Sequence, residues 1–131
     1  MTTIILKTKK NKQVVPITEL INKELEKAAI AQGLCFLHVL HTSCALTTAD
    51  LDPGTDLDML DAFEAMVPQL NYRHPHDPSH VGDHIMTSII GTSLVVPIKD
   101  GGLLLGTWQE VVLIEFNGPK ERSLVLCAQK A

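Results

Sequence analysis

Four of the chain's six histidines lie in the segment YRHPHDPSHVGDH, residues 72 to 84. Imidazole has an ordinary pKa of about 6.5, so its lone pair can bind a divalent metal ion or accept a proton at neutral pH. The segment contains many turn formers, but a turn does not require His74, His76, His80 and His84. Because the spacing matches no zinc signature, a solvated, proline-stiffened turn is the alternative interpretation.

A fifth histidine, His41, ends an apolar strand segment that contains Cys35, Leu37 and Val39. These residues share one strand face, because side chains alternate with a period of two. His41 is therefore a candidate for a site that the fold completes, and a histidine bonded to a nearby carbonyl is the alternative. His38 falls on the opposite face and suits that structural role.

Carboxylates form a second group of candidates in residues 50–64. Asp52 favours a helix start through capping, whereas Asp50 precedes the cap and lacks that role. In the segment TWQEVVLIEF, Gln109 and Glu115 share one strand face. A buried Glu115 needs a cation or hydrogen-bond donors, which makes it a candidate for acid–base work. An acid that reaches water at the end of a hairpin is the alternative.

The elements that must position these residues follow from hydrophobic spacing and turn signals. The N-terminal residues predict two strands joined by the turn KTKKNK, and then a helix from Thr18 to a stop at Gly33. The apolar segment LCFLHVLHTSCALTT predicts two central strands around Thr42 and Ser43. The first two strands are predicted at residues 3–7 and 13–17.

Two more helices and a β-rich last third are predicted. One helix has Asp52 as its N-cap and is closed by Pro68, and the other is capped by Asp83 and stopped by Gly91. SLVVPI predicts a strand, and LLLGTWQEVVLIEF predicts a long strand bulged at Gly106. The NG turn then leads into RSLVLCAQ, the last predicted strand.

Length and composition predict a single α+β domain over residues 1–131, with a largely antiparallel β-sheet and two to three helices. No apolar run approaches the roughly 18 residues of a membrane span, and the start lacks the charge order of a secretory signal. We therefore expect a cytoplasmic protein with no membrane partner. The net charge of −4 opposes a nucleic-acid partner. Three cysteines without a C-x-x-C pair predict free thiols.

Several quoted segments occur together in one order: HTSCALTTAD, DPGTDLD, YRH, a later DH, and GTSLVVPIKDGGLLLGTWQEVVLIEFNGP. In this order they resemble the YjbQ-like family, often labelled secondary thiamine-phosphate synthases, from about residue 12 to 129. The resemblance implies a small α+β protein that assembles as a homotrimer. The chain departs from the family pattern in its histidine loop, and at Ala49-Asp50, where many members have Asn-Glu.

The resemblance also implies an activity and a metal site. His41, His74 and His84 correspond to a family cluster that looks suited to a metal or a phosphate. The leading prediction is a transferase that joins a pyrimidine diphosphate to a thiazole phosphate with loss of pyrophosphate. A divalent metal, zinc or magnesium, held by the three histidines would stabilise the leaving group's charge.

The remaining site residues have predicted roles in that reaction. Asp50 and Gln109 orient the substrate, Trp108 stacks on a heteroaromatic ring, and Glu115 fixes a histidine tautomer. Thr42 and Ser43 are predicted to bind substrate. Two alternatives remain open: a metal-dependent hydrolase of a small phosphorylated compound, and a non-catalytic trimeric protein that binds a small ligand. The expected partner is a small molecule under all three hypotheses. For the transferase and the hydrolase that molecule is phosphorylated.

Overall fold

The fold has two antiparallel sheets and three helices, described here from a computed structural model of residues 1–131. A short 3-10 turn over Pro78–His80 runs directly into the third helix. In chain order the elements are β1 Thr2–Lys7, β2 Gln13–Pro16, α1 Thr18–Ala28, β3 Gln32–Val39, β4 Cys44–Ala49, α2 Thr55–Met66, α3 Val81–Ile90, β5 Ser93–Lys99, β6 Gly102–Leu103, β7 Glu110–Glu115 and β8 Glu121–Lys130.

The sheets stack as two layers, and α2 and α3 add a third. The larger sheet has the strand order β1-β8-β3-β5-β6, and the smaller has the order β2-β7-β4. The main apolar core includes Leu37 of β3, Leu113 of β7 and Leu25 of α1, and therefore lies between the sheets with α1. A second core joins Ile114 of β7 to Met86 of α3. Side chains of β7 thus alternate between the two cores.

The fold class and the two central strands are confirmed. β3 and β4 flank the short loop that contains Thr42 and Ser43. All strand pairs are antiparallel, and three helices are present. All three cysteines are free thiols, two of them buried. No helix has the length and apolarity needed to span a membrane.

Several predicted boundaries are wrong, for local reasons. Helix α1 ends at Ala28, because Ala29 takes the left-handed cap conformation. Gly33 instead lies inside β3, where a Cβ would meet the Gln129 carbonyl oxygen at 2.1 Å. Helix α2 starts after Gly54, and the Asp52 carbonyl accepts from the Thr55 amide in the preceding turn.

The third helix and the long C-terminal strand also differ from expectation. Helix α3 begins at Val81, so Asp83 lies within its first turn instead of capping it. The segment predicted as one long strand is divided into β6 and β7, with an irregular stretch over residues 104–109 between them. Gln109 closes that stretch, because its Oε1 accepts from the Gly106 amide at 3.1 Å.

Candidate functional site

Three histidines that are distant in sequence line one open cavity of about 590 Å³. His41 comes from the β3–β4 loop, His74 from the loop before α3, and His84 from α3 itself. No hydrophobic residue contributes to the lining. The other lining residues are Thr42, Thr87, Ser88, Gly91 and Thr92.

Helix α3 presents a polar stripe to this cavity. His84, Thr87, Ser88 and Gly91 are spaced i, i+3, i+4 and i+7, which places them on one helical face. Thr87, Ser88 and Gly91 were not predicted as site residues. The sequence contains a signal that could have identified them, because polar residues at helical spacing interrupt the apolar segment HIMTSIIG.

The tautomer of His84 is set by a backbone carbonyl. His84 Nδ1 lies 2.8 Å from the Thr42 carbonyl oxygen. Because a carbonyl oxygen can only accept, Nδ1 carries the hydrogen in the neutral ring. The other nitrogen, Nε2, therefore keeps its lone pair and can accept a proton or bind a cation.

His41 has the opposite arrangement. The Ser123 amide donates to His41 Nε2 at 2.8 Å, so the hydrogen of the neutral ring is on Nδ1. Burial, together with the nearby Arg122 guanidinium, lowers the pKa of His41 below its ordinary value. The ring is consequently neutral at pH 7 and offers an N–H donor.

His74 is also a donor in its neutral form. Its Nδ1 accepts from the amides of Asp77 and His76 at 3.2 and 3.3 Å, which leaves the hydrogen on Nε2. The His74 and His84 rings are stacked, with centroids 5.1 Å apart and planes 14° from parallel.

Thr87 carries the one buried side-chain polar atom that has no hydrogen-bond partner. Thr87 is only 2% exposed, and its Oγ1 makes no hydrogen bond within the protein. A buried hydroxyl without a partner costs about 1–3 kcal/mol. Thr87 lines the histidine cavity, so this unpartnered hydroxyl belongs to a residue of the cavity wall.

A buried ion pair holds the loop that carries His41. Glu115 is fully buried, and its carboxylate accepts from Arg122 Nε at 2.8 Å and also from Arg122 Nη2. Arg122 Nη2 also donates to Ser43 Oγ at 2.9 Å. Burial alone would raise the pKa of the Glu115 carboxyl, but hydrogen bonds from Arg122, Thr8 and the Asn117 amide outweigh it and lower that pKa.

Glu115 and Ser43 lie behind the cavity, and their predicted site roles stay predictions. Neither residue lines the cavity, because both belong to the buried Arg122 network. The network acts on the cavity indirectly. Arg122 holds Ser43 by a hydrogen bond, and the amide of Ser123, next to Arg122 in the chain, holds His41. Thr42 lies between His41 and Ser43, and its carbonyl orients His84. Arg122 itself was not predicted.

Three other predicted residues do not line the histidine cavity. Asp50 Oδ1 accepts from the Asp52 amide at 2.8 Å and so closes a local turn. Gln109 Nε2 donates to Thr48 Oγ1 at 3.0 Å. Trp108 is 73% exposed on the β6–β7 connection. The predicted roles of these three residues towards a substrate stay predictions.

The two additional loop histidines have local roles. His80 Nε2 lies 3.2 Å from Asp77 Oδ2, and His76 is exposed with its ring against the edge of His74. Neither residue lines the cavity. Asp77 also accepts from the Ser79 amide at 3.0 Å, which starts the turn leading into α3.

A metal ion bound by all three histidines would require His41 and His74 to give up their hydrogen bonds from backbone amides. Only His84 presents a free lone pair, because those of His41 and His74 accept from backbone amides. No group of three histidine, cysteine or carboxylate side chains has a geometry that would hold a metal ion. The arrangement instead offers two N–H donors, hydroxyls and one proton acceptor.

The sequence and the fold of this chain are similar to those of known proteins. A sequence model of the family described as "UPF0047 protein YjbQ-like" matches residues 2–131. The chain belongs to this family. A UPF0047 protein of Archaeoglobus fulgidus is 33% identical over 94% of this chain and 96% of its own length. YugU of Bacillus subtilis, another UPF0047 protein, is 30% identical over 92% of both chains.

Solved structures of UPF0047 relatives have the same fold. A YjbQ/UPF0047 protein from Clostridium acetobutylicum has a TM-score of 0.90 at 29% identity, covering 98% of this chain and 100% of its own. A protein from Sulfolobus solfataricus, described as YbjQ-like and of unknown function, also reaches 0.90 at 26% identity, covering 99% and 96%.

These comparisons contradict the predicted transferase activity. The relatives are named by the UPF0047 family alone, or as proteins of unknown function, and none is named a thiamine-phosphate synthase. The resemblance on which that prediction rested identifies the family and the fold. It does not identify the reaction.

Proposed function

We propose that the UPF0047 histidine cavity binds the phosphoryl group of a small molecule and that His84 exchanges a proton with it. The observation that carries the proposal is the buried, unpartnered hydroxyl of Thr87 in a cavity without apolar lining. Each part of the lining has a counterpart on a phosphoryl group. Its oxygens accept from N–H and O–H donors, and its acidic hydroxyl donates to an imidazole lone pair.

The donors and the acceptor are assigned by their existing hydrogen bonds. His41 Nδ1–H and His74 Nε2–H donate to ligand oxygens, because their other nitrogens accept from backbone amides. His84 Nε2 accepts the ligand's proton, and the charge formed on the ring is stabilised by the Thr42 carbonyl. This proton transfer pairs an imidazolium with the phosphoryl dianion inside the cavity.

No lysine or arginine lines the cavity, and this determines which ionic form of the phosphoryl group it prefers to bind. Neutral donors alone stabilise a dianion poorly, since its desolvation is not offset by a fixed positive charge. A monoanion brings one proton with it, and His84 becomes the counter-ion only when it takes that proton. We therefore expect binding to be tighter for a phosphate monoester than for a phosphodiester, which has no proton to give.

Titration calorimetry with glycerol phosphate tests this proposal. We expect His84→Ala to weaken binding at least about tenfold, because a charge-assisted hydrogen bond contributes roughly 1.5–3 kcal/mol. The matched control is His38→Ala, because His38 bonds Ser93 on the far face of the larger sheet. Equal affinity for the wild type and His84→Ala would refute the role of His84. Equal affinity for a phosphodiester would refute the proton exchange.

A divalent metal ion is the second candidate ligand, and one observation favours it. Metal-binding histidines commonly donate their second N–H to a carbonyl, as His84 does to Thr42. The predicted His41, His74 and His84 ligand set, with zinc or magnesium, stays a prediction. Zinc titration with metal analysis tests it: stoichiometric zinc lost in His84→Ala supports a metal site, and no bound zinc in the wild type refutes it.

We further propose that the chain assembles as a homotrimer, as its family resemblance implies. The outer face of the larger sheet supports self-association, because it exposes Ile5, Leu34, Phe36 and Val95 to solvent. Exposed apolar patches on a sheet commonly mark protein interfaces. Sedimentation of Phe36→Glu should show a smaller species than the wild type, whereas a wild-type monomer at micromolar concentration would refute the trimer. A cytoplasmic location and the lack of nucleic-acid and membrane partners stay predictions.

A further inference from the structure

A second cavity, of about 420 Å³, lies on the opposite side of α3 from the histidines. Its volume falls within the range of about 300–1,000 Å³ that is usual for small-molecule sites. Unlike the histidine cavity, it has an apolar floor between α2, α3 and the end of β7. That floor consists of Leu57, Leu60, Phe63, Val67, Met86 and Phe116.

The chain's own Lys12 ammonium occupies one end of this cavity. Lys12 Nζ donates to Asp83 Oδ1 and to the Phe116 carbonyl oxygen, each at 2.5 Å. It also lies 5.8 Å from the centroid of the Phe116 ring. A carboxylate, a carbonyl and an aromatic ring around one nitrogen are the groups that recognise a primary ammonium. The lysine therefore marks an ammonium-binding position.

Lys12 and Asp83 are unequally buried, so the pair can exchange one partner. The Asp83 side chain is only 12% exposed, whereas that of Lys12 is 43% exposed and reaches in from the β1–β2 turn. Lys12 can therefore swing into water, but Asp83 cannot leave. A buried carboxylate without a cation is unfavourable, so another ammonium must then replace Lys12. Asp61 and Glu64 on the cavity lining add further negative charge.

We propose that this second cavity binds a primary amine with an apolar body, whose ammonium displaces Lys12 from Asp83 while its body covers the Phe63 and Met86 floor. Lys12 then acts as a built-in competitor that keeps Asp83 paired when no amine is present. Charge selects the amine over a neutral or acidic analogue of the same shape. The proposal is independent of the phosphoryl site, because no residue lines both cavities.

Binding of 2-phenylethylamine to the full chain, followed by NMR titration, tests the proposal. Removing the competitor in Lys12→Met should tighten amine binding about tenfold or more, as expected when an intramolecular partner at high effective concentration is deleted. Lys10→Met is the matched control, because Lys10 lies in the same turn but outside the cavity. It should bind the amine as the wild type does.

Two further measurements separate charge recognition from simple apolar filling. The neutral analogue 2-phenylethanol should gain no affinity in Lys12→Met, and the double variant Lys12→Met/Asp83→Asn should lose the gain in amine affinity. Equal gains for the amine and the alcohol would overturn the proposal, as would amine binding in Lys12→Met that is no tighter than in the wild type. Thermal unfolding checks that each variant is folded before it is titrated.

Discussion

Helix α3 separates two cavities of opposite chemistry. On one side, His84 and Thr87 face a cavity with no hydrophobic lining residue. On the other, Met86 faces a cavity with an apolar floor, and Asp83 supplies a carboxylate. A single ten-residue helix therefore serves both cavities, because residues three and four apart share one face and those between them point elsewhere.

The two cavities also differ in how their ion pairs are held. The Arg122–Glu115 pair behind the histidine cavity is buried at both ends. The Lys12–Asp83 pair in the second cavity is buried only at Asp83. A pair that is buried at both ends cannot exchange with solvent, so it serves as fixed support. A pair with one exposed partner can open, which suits a binding site.

The largest expected effect comes from removing half of the buried pair. Glu115→Ala should lower the free energy of unfolding by about 3–5 kcal/mol, because the Arg122 charge is left buried without its partner. Urea unfolding measures this loss. The control Glu121→Ala removes an exposed carboxylate from the start of β8 and should change stability by less than about 0.5 kcal/mol. Equal losses in the two variants would contradict the support role.

The second expected effect is a gain in stability from a substitution in the histidine cavity. Thr87→Val replaces the unpartnered hydroxyl with a methyl group of similar size and should raise the free energy of unfolding by about 1–2 kcal/mol. The same variant should bind glycerol phosphate more weakly, because the ligand loses a hydrogen-bond donor. Unchanged affinity together with a gain in stability would show that this hydroxyl does not contact the ligand.

The sequence predicted much of the fold, because its elements are specified locally. The segment LCFLHVLHTSCALTT, rich in apolar and β-branched residues, predicted the two central strands, and the segment LLLGTWQEVVLIEF predicted β7 as part of a longer strand. Boundaries were less certain, because tertiary contacts decide them. Gly33 is typical of a helix end, but close packing of β3 on β8 requires a glycine there. Asp83 is typical of a helix cap, but it pairs with the distant Lys12.

The candidate site was predictable only in part, for a similar reason. Residue type made five histidines candidates, and the family resemblance selected His41, His74 and His84, which line the same cavity. Their tautomers depend on amides and carbonyls that approach from other elements, such as the Ser123 amide of β8. A sequence shows which side chains can bind a proton or a metal. It does not show which lone pairs are already used.

A smaller loss of stability is expected for the second cavity's ion pair. Lys12→Met should lower the free energy of unfolding by about 1 kcal/mol, since one partner of the pair is well exposed. Added 2-phenylethylamine should restore part of this loss, because it returns a cation to Asp83 and binds only the folded state. A loss of stability as large as that of Glu115→Ala would show that the Lys12–Asp83 pair is as fixed a support as the Arg122–Glu115 pair.

The smallest effect is a pH dependence that distinguishes His41 from the other groups. Its pKa in the folded chain lies below the ordinary value of 6.5, so its contribution to stability is complete above pH 6.5 and is lost as the pH falls through the folded pKa. Protonation of Nε2 would break the acceptor bond from the Ser123 amide. The lowered pKa of Glu115 acts in the same direction, but only below its ordinary value of 4.5.

Urea unfolding measures this pH dependence. Between pH 7 and pH 5 the free energy of unfolding should decline for the wild type. It should decline less for His41→Gln, because glutamine gains no proton. Parallel curves for the two proteins would assign the decline to another group.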